Sequence, residues 1–70
     1  MERFPVSSSS LKSIGYDSDG KTLEVEFHSL AVYVYRDVPM WAFEGLVAAV
    51  SKGRYFDRRI RERYPFEQMR

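Results

Sequence analysis

The sequence predicts one α+β domain, a three-stranded antiparallel β-meander followed by two α-helices packed on one face in the order β-β-β-α-α. Three observations predict it. Residues 21–28 alternate apolar and polar side chains, the period-two signature of a half-buried strand. The run Ala31-Val32-Tyr33-Val34-Tyr35-Arg36 is β-branched and aromatic and follows after a brief link, as the next strand of a hairpin does. Beyond Pro39 the apolar residues switch to helical spacing.

With 70 residues the chain has room for one modest core, so 1–70 reads as a single domain in which 1–9 form a flexible lead. A domain this small buries roughly 60% of its unfolded-chain surface, and a dense core has to supply its stability. Cysteine is absent, which excludes disulfides and thiolate metal sites, and the single His28 cannot build an imidazole cluster. No metal and no small-molecule cofactor are expected. Five Phe, five Tyr and one Trp are what the core has to draw on. The N-terminus, Met1-Glu2-Arg3-Phe4-Pro5, carries no long apolar stretch, so neither a signal peptide nor a membrane partner is expected and the cytoplasm is the default compartment.

The elements follow in order. Leu11-Lys12-Ser13-Ile14-Gly15-Tyr16 alternates loosely and ends at Asp17-Ser18-Asp19-Gly20, a turn in which Gly20 is expected to supply a positive φ. The second strand puts Leu23, Val25 and Phe27 on one face and Thr22, Glu24, Glu26 and His28 on a solvated one. The third puts Tyr33 and Tyr35 on one face and Val32 and Val34 on the other. Pro39 marks a helix entry, and Met40, Phe43, Val47 and Val50, with Leu46 beside them, form the stripe expected to close over the sheet. Ser51 is placed to cap a second helix whose buried side is Phe56 and Ile60 and which ends near Tyr64, because Pro65 follows.

No catalytic apparatus is legible, and the chain is expected not to be an enzyme. The pairs Asp17/Asp19 and Glu24/Glu26 fall in a turn and on a wet strand face. No serine sits in an elbow motif. Asp17-Ser18-Asp19-Gly20 lacks the later ligands of a calcium loop. His28 reads as a solvated side chain.

The charge is asymmetric. Through Val50 the chain has four basic and seven acidic residues, and after it seven basic and three acidic, which makes the C-terminal end strongly positive within a net charge of +1. At 100° per residue Arg54, Arg58 and Arg61 share a narrow arc opposite Phe56, flanked by Arg59, Arg63 and Lys52. Such a stripe either contacts phosphates, contacts a protein, or is a solvated face balanced by Asp57/Arg61 and Arg58/Glu62 pairs. Ser51-Lys52-Gly53-Arg54 is either an anion-holding helix start or simply the turn between helices. Tyr33 and Tyr35 are either a base-stacking surface or core beneath the helices.

Ser10-Leu11-Lys12-Ser13-Ile14-Gly15-Tyr16-Asp17, Leu23-Glu24-Val25-Glu26-Phe27, Tyr33-Val34-Tyr35, Val38-Pro39, Ser51-Lys52-Gly53-Arg54-Tyr55-Phe56, Ile60 and Tyr64-Pro65 together resemble the KTSC domain, from Ser9 to about Pro65. That family is a small module found alone in bacteria and phages and at the C-terminus of some lysyl-tRNA synthetases. The resemblance implies, through the synthetase fusions, an association with RNA or tRNA. The expected function is therefore a small binding module that holds RNA phosphates with Lys52, Arg54, Arg58 and Arg61 and stacks on Tyr33 and Tyr35. The alternative is a protein-interaction adaptor, or a phage-type effector binding a host protein, with Trp41, Arg59 and Arg63 as anchors. The exposure of Trp41 discriminates, because an exposed Trp favours a protein interface.

Overall fold

The computed structural model describes residues 2–70. Its elements are β1 (Phe4–Pro5), β2 (Leu11–Asp17), β3 (Thr22–Phe27), β4 (Val32–Tyr35), α1 (Met40–Ala48), α2 (Lys52–Arg59) and β5 (Phe66–Gln68). The strands form one antiparallel sheet in the order β1-β2-β3-β4-β5. The class is α+β as expected, but the sheet has five strands, not three. The additional strands lie at the edges, two and three residues long, and neither run is long enough to show a period in the sequence. β1 pairs Phe4 with Ile14, and β5 pairs Phe66 with Tyr35.

The loose alternation of β2 has a structural cause. The register shifts between Leu11 and Ser13, a bulge that resets the pleat, so that Leu11 and Ile14 both face the core although three positions separate them. In the following turn Asp17 Oδ1 accepts the Asp19 N–H at 3.1 Å. The left-handed residue there is Lys21, with φ 51°, and not Gly20, which needs no positive φ.

Leu23 and Val25 of β3, Ile14 of β2 and Tyr35 of β4 form the floor of the core, and both helices lie over this face. Ala42 and Leu46 of α1 and Phe56 of α2, with Ile60 just beyond it, complete the core. The expected stripe on α1 is displaced. Met40, Val47 and Val50 are exposed, Phe43 is half-buried in a 4.7 Å stack on Tyr16, Leu46 is buried as expected, and the other buried position is Ala42. Small residues occupy the inner face because α1 packs closely against Tyr55 of α2, whose ring lies where a Gly45 side chain would stand. Counting large apolar residues alone therefore finds Leu46 and Phe43 but misses Ala42 and admits the exposed Met40 and Val47.

Ser51 caps α2 as expected, its Oγ accepting the Arg54 N–H at 3.4 Å. The helix ends at Arg59 instead of near Tyr64. The Ile60 and Arg61 N–H groups both donate to the Phe56 carbonyl, and the chain turns through residues 60–64 so that Phe66–Gln68 can reach the open edge of β4.

The other face of the sheet is not the solvated surface expected of Glu24 and Glu26. Glu26 is 9% exposed, accepts a hydrogen bond from Ser13 Oγ at 2.8 Å and pairs with Arg70 at 2.9 Å. Glu24 pairs with Arg3. Both ends of the chain fold back over this face, and the Glu2 carbonyl oxygen lies 2.5 Å from where a Cβ on Gly15 would be. No described helix is long and apolar enough to cross a membrane.

Candidate nucleic-acid interface

The side chains singled out in the sequence divide between two hollows on either side of α2. On one side, Arg54, Arg58 and Arg59 line an open hollow of about 270 Å³ together with Tyr55, Ser51 and Val50. None of these three guanidinium groups forms an ion pair among the described residues, whereas Arg3, Arg36, Arg61 and Arg70 all do. Arg59, assigned from the sequence to the protein-binding alternative, thus joins Arg54 and Arg58. Unpaired arginines gathered on one helix and backed by a tyrosine give a local positive surface whose donors are free for an anion.

On the other side a larger groove of about 630 Å³ runs between α2 and the β4–β5 edge. Phe27, Tyr33, Tyr35, Phe56 and Phe66 wall it, and Asp57, Arg61 and Glu62 stand at the rim. Tyr33 and Tyr35 lie side by side with ring centres 6.4 Å apart, and Phe66 leans over both at 5.7 and 5.4 Å. Phe56 meets Tyr35 edge-on at 5.4 Å, and Phe27 meets Tyr33 edge-on at 5.6 Å, the favoured geometry for aromatic pairs.

The two tyrosines therefore differ. Tyr35 is 2% exposed, with its ring in the core and not on an open platform. Burial, with a smaller contribution from neighbouring Tyr33, pushes its phenol up to about 12. Tyr33 is half-buried, and its hydroxyl donates to Gln68 Oε1 at 3.3 Å. Both face the helices, since Tyr33 pairs with Val25 and Tyr35 with Leu23, so they are core and groove wall together.

The remaining candidates occupy more ordinary positions. Lys52 donates from Nζ to the Ala49 carbonyl at 3.1 Å and so ties α2 to the end of α1. Together with the Ser51 cap this makes Ser51-Lys52-Gly53-Arg54 an interhelical turn in which one N–H is already taken. Arg61 separates from Arg54 and Arg58 by pairing with Asp57 at 3.3 Å beside the aromatic groove. Arg63 donates from Nε to the Arg58 carbonyl at 2.9 Å, which closes the helix end. Trp41 is 68% exposed on the outward side of α1. His28 Nε2 lies 2.8 Å from the Ser8 carbonyl oxygen. No group of three or more metal-ligating side chains is assembled among the described residues.

Phe66 was not legible as a site residue, since it follows Pro65 outside any periodic run and reaches the groove only through β5. Phe27 and Asp57 read as core and ion-pair residues and give no local sign of lining a groove.

A bulged antiparallel sheet with two helices on one face and its charged and aromatic hollows on the second helix defines a small α+β module. The sequence profile described as the KTSC domain matches residues 7–64, and the chain belongs to that family. Over 57 residues it is 47% identical to an uncharacterised protein of Stutzerimonas stutzeri, covering 81% of this chain and 80% of that one. It is 41% identical over 59 residues to a lysine–tRNA ligase of Trichormus variabilis, covering 84% of this chain and 10% of the ligase. The crystal structure of a KTSC domain protein from Yersinia pestis superposes with a TM-score of 0.95 at 42% identity, covering 99% of this chain and 97% of that one.

Proposed function

We propose that this domain is a non-catalytic RNA-binding module whose second helix holds backbone phosphates with Arg54, Arg58 and Arg59. The observation that carries the reading is the three unpaired guanidinium groups around one open hollow, backed by Tyr55. Arginine forks onto phosphate oxygens and stacks on bases, so such a cluster favours RNA over a simple anion. The similarity to part of a lysine–tRNA ligase adds support, because that protein acts on tRNA. Contacts of this kind position a nucleic acid with little reading of its sequence.

The test is fluorescence anisotropy of labelled single-stranded and hairpin RNA across a salt series, with the wild type and with Arg54, Arg58 and Arg59 all changed to alanine. Each single-strand phosphate neutralised contributes about −0.7 to the slope of log K against log salt, so losing three contacts flattens the slope by about 2. RNA that fails to bind at low salt, or a slope unchanged in the variant, overturns the reading.

A second reading, a protein-interaction adaptor or phage-type effector, is favoured by one feature. Trp41 stands 68% exposed on α1, which also exposes Met40 and Val47. Trp41 fluorescence separates the two. Emission that keeps its water-exposed maximum in the RNA complex leaves this face free for another partner, and emission that shifts with RNA brings the face into the RNA interface.

A further inference from the structure

The aromatic groove has a feature that packing does not explain. Tyr35 is 98% buried by its 2% exposure, yet its hydroxyl has no hydrogen-bond partner among the described residues. It is not sealed from solvent either, since no buried side-chain oxygen or nitrogen lacks a partner. The hydroxyl thus opens into the groove that Tyr35 lines. Asp57 and Arg61 stand at the same rim, close enough for their charges to act on this phenol. A buried tyrosine ordinarily places its hydroxyl on a partner, and the groove that Tyr35 lines has room for one.

The groove's volume, about 630 Å³, falls within the range of small-ligand sites, and five aromatic rings line it together with Ser10 and Ser29. Its rim is not a phosphate site: Asp57 and Glu62 oppose a single guanidinium, Arg61, which is already paired with Asp57. The occupant that satisfies these conditions is planar, uncharged and aromatic, with hydrogen-bonding groups along one edge. It also has to be attached to something that arginines attract, because Arg54, Arg58 and Arg59 line the hollow on the other side of the same helix.

We propose that the groove accepts one unstacked nucleobase of a single-stranded RNA, stacked against Tyr33 and Phe66, with its polar edge on the Tyr35 hydroxyl and the Asp57–Arg61 pair. This rests on the RNA-binding reading and extends it from phosphates to bases. Phe66, 55% exposed on the three-residue edge strand β5, is the wall that adjusts to the ring. The Tyr35 hydroxyl both donates and accepts, so it distinguishes bases by their edges, while stacking alone does not.

The experiment compares a single-stranded oligoribonucleotide with an abasic ribose-phosphate oligomer of the same length, at fixed salt, by anisotropy. Base stacking contributes roughly 1–3 kcal/mol per base, so the base-bearing strand is expected to bind about tenfold or more tightly. Tyr33→Ala and Phe66→Ala remove that advantage and leave abasic binding unchanged. Tyr35→Phe removes only a hydroxyl that holds nothing in the fold, so the protein stays folded, and the difference between adenine- and uracil-bearing strands narrows. Equal binding of the two oligomers overturns the groove proposal while the phosphate reading stands. Loss of all binding overturns both. As a phosphate-free check, adenosine and uridine are titrated into the Arg54, Arg58 and Arg59 alanine variant and the ring resonances of Tyr33 and Phe66 followed by NMR. Shifts with the nucleosides support the proposal, and shifts only with an aromatic amino-acid amide assign the groove to a peptide side chain and refute it.

Discussion

Changing Gly45 to alanine tests the helix–helix contact on which the arginine hollow depends. A Cβ at this position would stand 2.6 Å from Cζ and 2.9 Å from Cε2 of Tyr55 and closer still to its hydroxyl oxygen. Two effects oppose each other. Alanine in place of glycine within a helix gains about 1 kcal/mol of propensity. Forcing a half-buried ring out of its place costs about 1–3 kcal/mol in overpacking or lost contact. The overlap reaches ring carbons as well as the hydroxyl, so the cost exceeds the gain and Gly45→Ala destabilises by about 1 kcal/mol. In a domain this size that lowers Tm by roughly 4–8 °C. In a Tyr55→Ala background the three atoms nearest the new methyl are gone and the sign reverses, giving a gain of about 1 kcal/mol. The double-mutant cycle, measured by urea and thermal denaturation, should therefore return about 2 kcal/mol of coupling. If Gly45→Ala raises Tm equally in both backgrounds, Tyr55 does not lie on Gly45, and the hollow formed by Tyr55, Arg54 and Arg58 loses its support. A destabilised but folded Gly45→Ala protein should also bind RNA less well, because the displaced ring is a wall of that hollow.

Two predictions concern pH. The Tyr35 phenol is raised to about 12, so its contribution to stability is complete below pH 10 and is lost as pH rises from 10 to 12, a change of about 2–3 kcal/mol. Tyr35→Phe should abolish most of this alkaline loss in denaturation midpoints, leaving a residue from Tyr16, which is also raised by burial and by Asp17; an alkaline limb unchanged in the variant refutes the assignment. Glu26 is held below the ordinary carboxylate range, chiefly by the Ser13 hydrogen bond, with burial opposing and Lys12, Arg3 and Arg70 assisting. Its contribution is present above pH 4.5 and is lost as pH falls through the lower folded value, so Glu26→Gln should flatten the acid limb, and identical acid slopes would count against this network.

What the sequence made legible was what local pattern encodes. The period-two run of β3, the aromatic β4 and the Ser51 cap with Phe56 and Ile60 behind it all appear where their spacing places them. What failed was long-range or depended on small residues. The inner face of α1 is Ala42 and Leu46, with Gly45 where Tyr55 crosses, and the two small residues carry almost no hydrophobic signal. The end of α2 is fixed by β5 pairing with β4, which residues 60–64 do not announce. Glu24 and Glu26 looked solvated because their cover, Arg3 and Arg70, comes from the two ends of the chain. The site divided for the same reason. Helical geometry put Arg54, Arg58 and Arg61 on one arc, but α2 ends at Arg59, Arg61 pairs with Asp57 beyond it, and Arg59 lines the hollow instead.

The two faces of the sheet meet opposite demands, and this bears on where a ligand binds. The outer face uses its charges internally: Glu24 with Arg3, and Glu26 with Ser13 and Arg70. A partner there would have to displace interactions that the fold already makes, and leaving Glu26 half-satisfied costs more than exposing it. On the helix side the groups are left over. Among the described residues the guanidinium groups of Arg54, Arg58 and Arg59 have no carboxylate, and the buried Tyr35 phenol has no hydrogen-bond partner, although the chain has nearly as many acids as bases. The exposed guanidinium groups are solvated by water and cost folding little, whereas in a domain whose stability is only a few kcal/mol the Tyr35 hydroxyl without a protein partner is a small cost. It is offset when a ligand supplies phosphates to the arginines and a polar edge to Tyr35, so binding should stabilise the fold as well as occupy it. RNA at a hundredfold excess over Kd should then raise stability by about 2.7 kcal/mol, and an RNA that binds without raising Tm would have to bind the unfolded chain equally well.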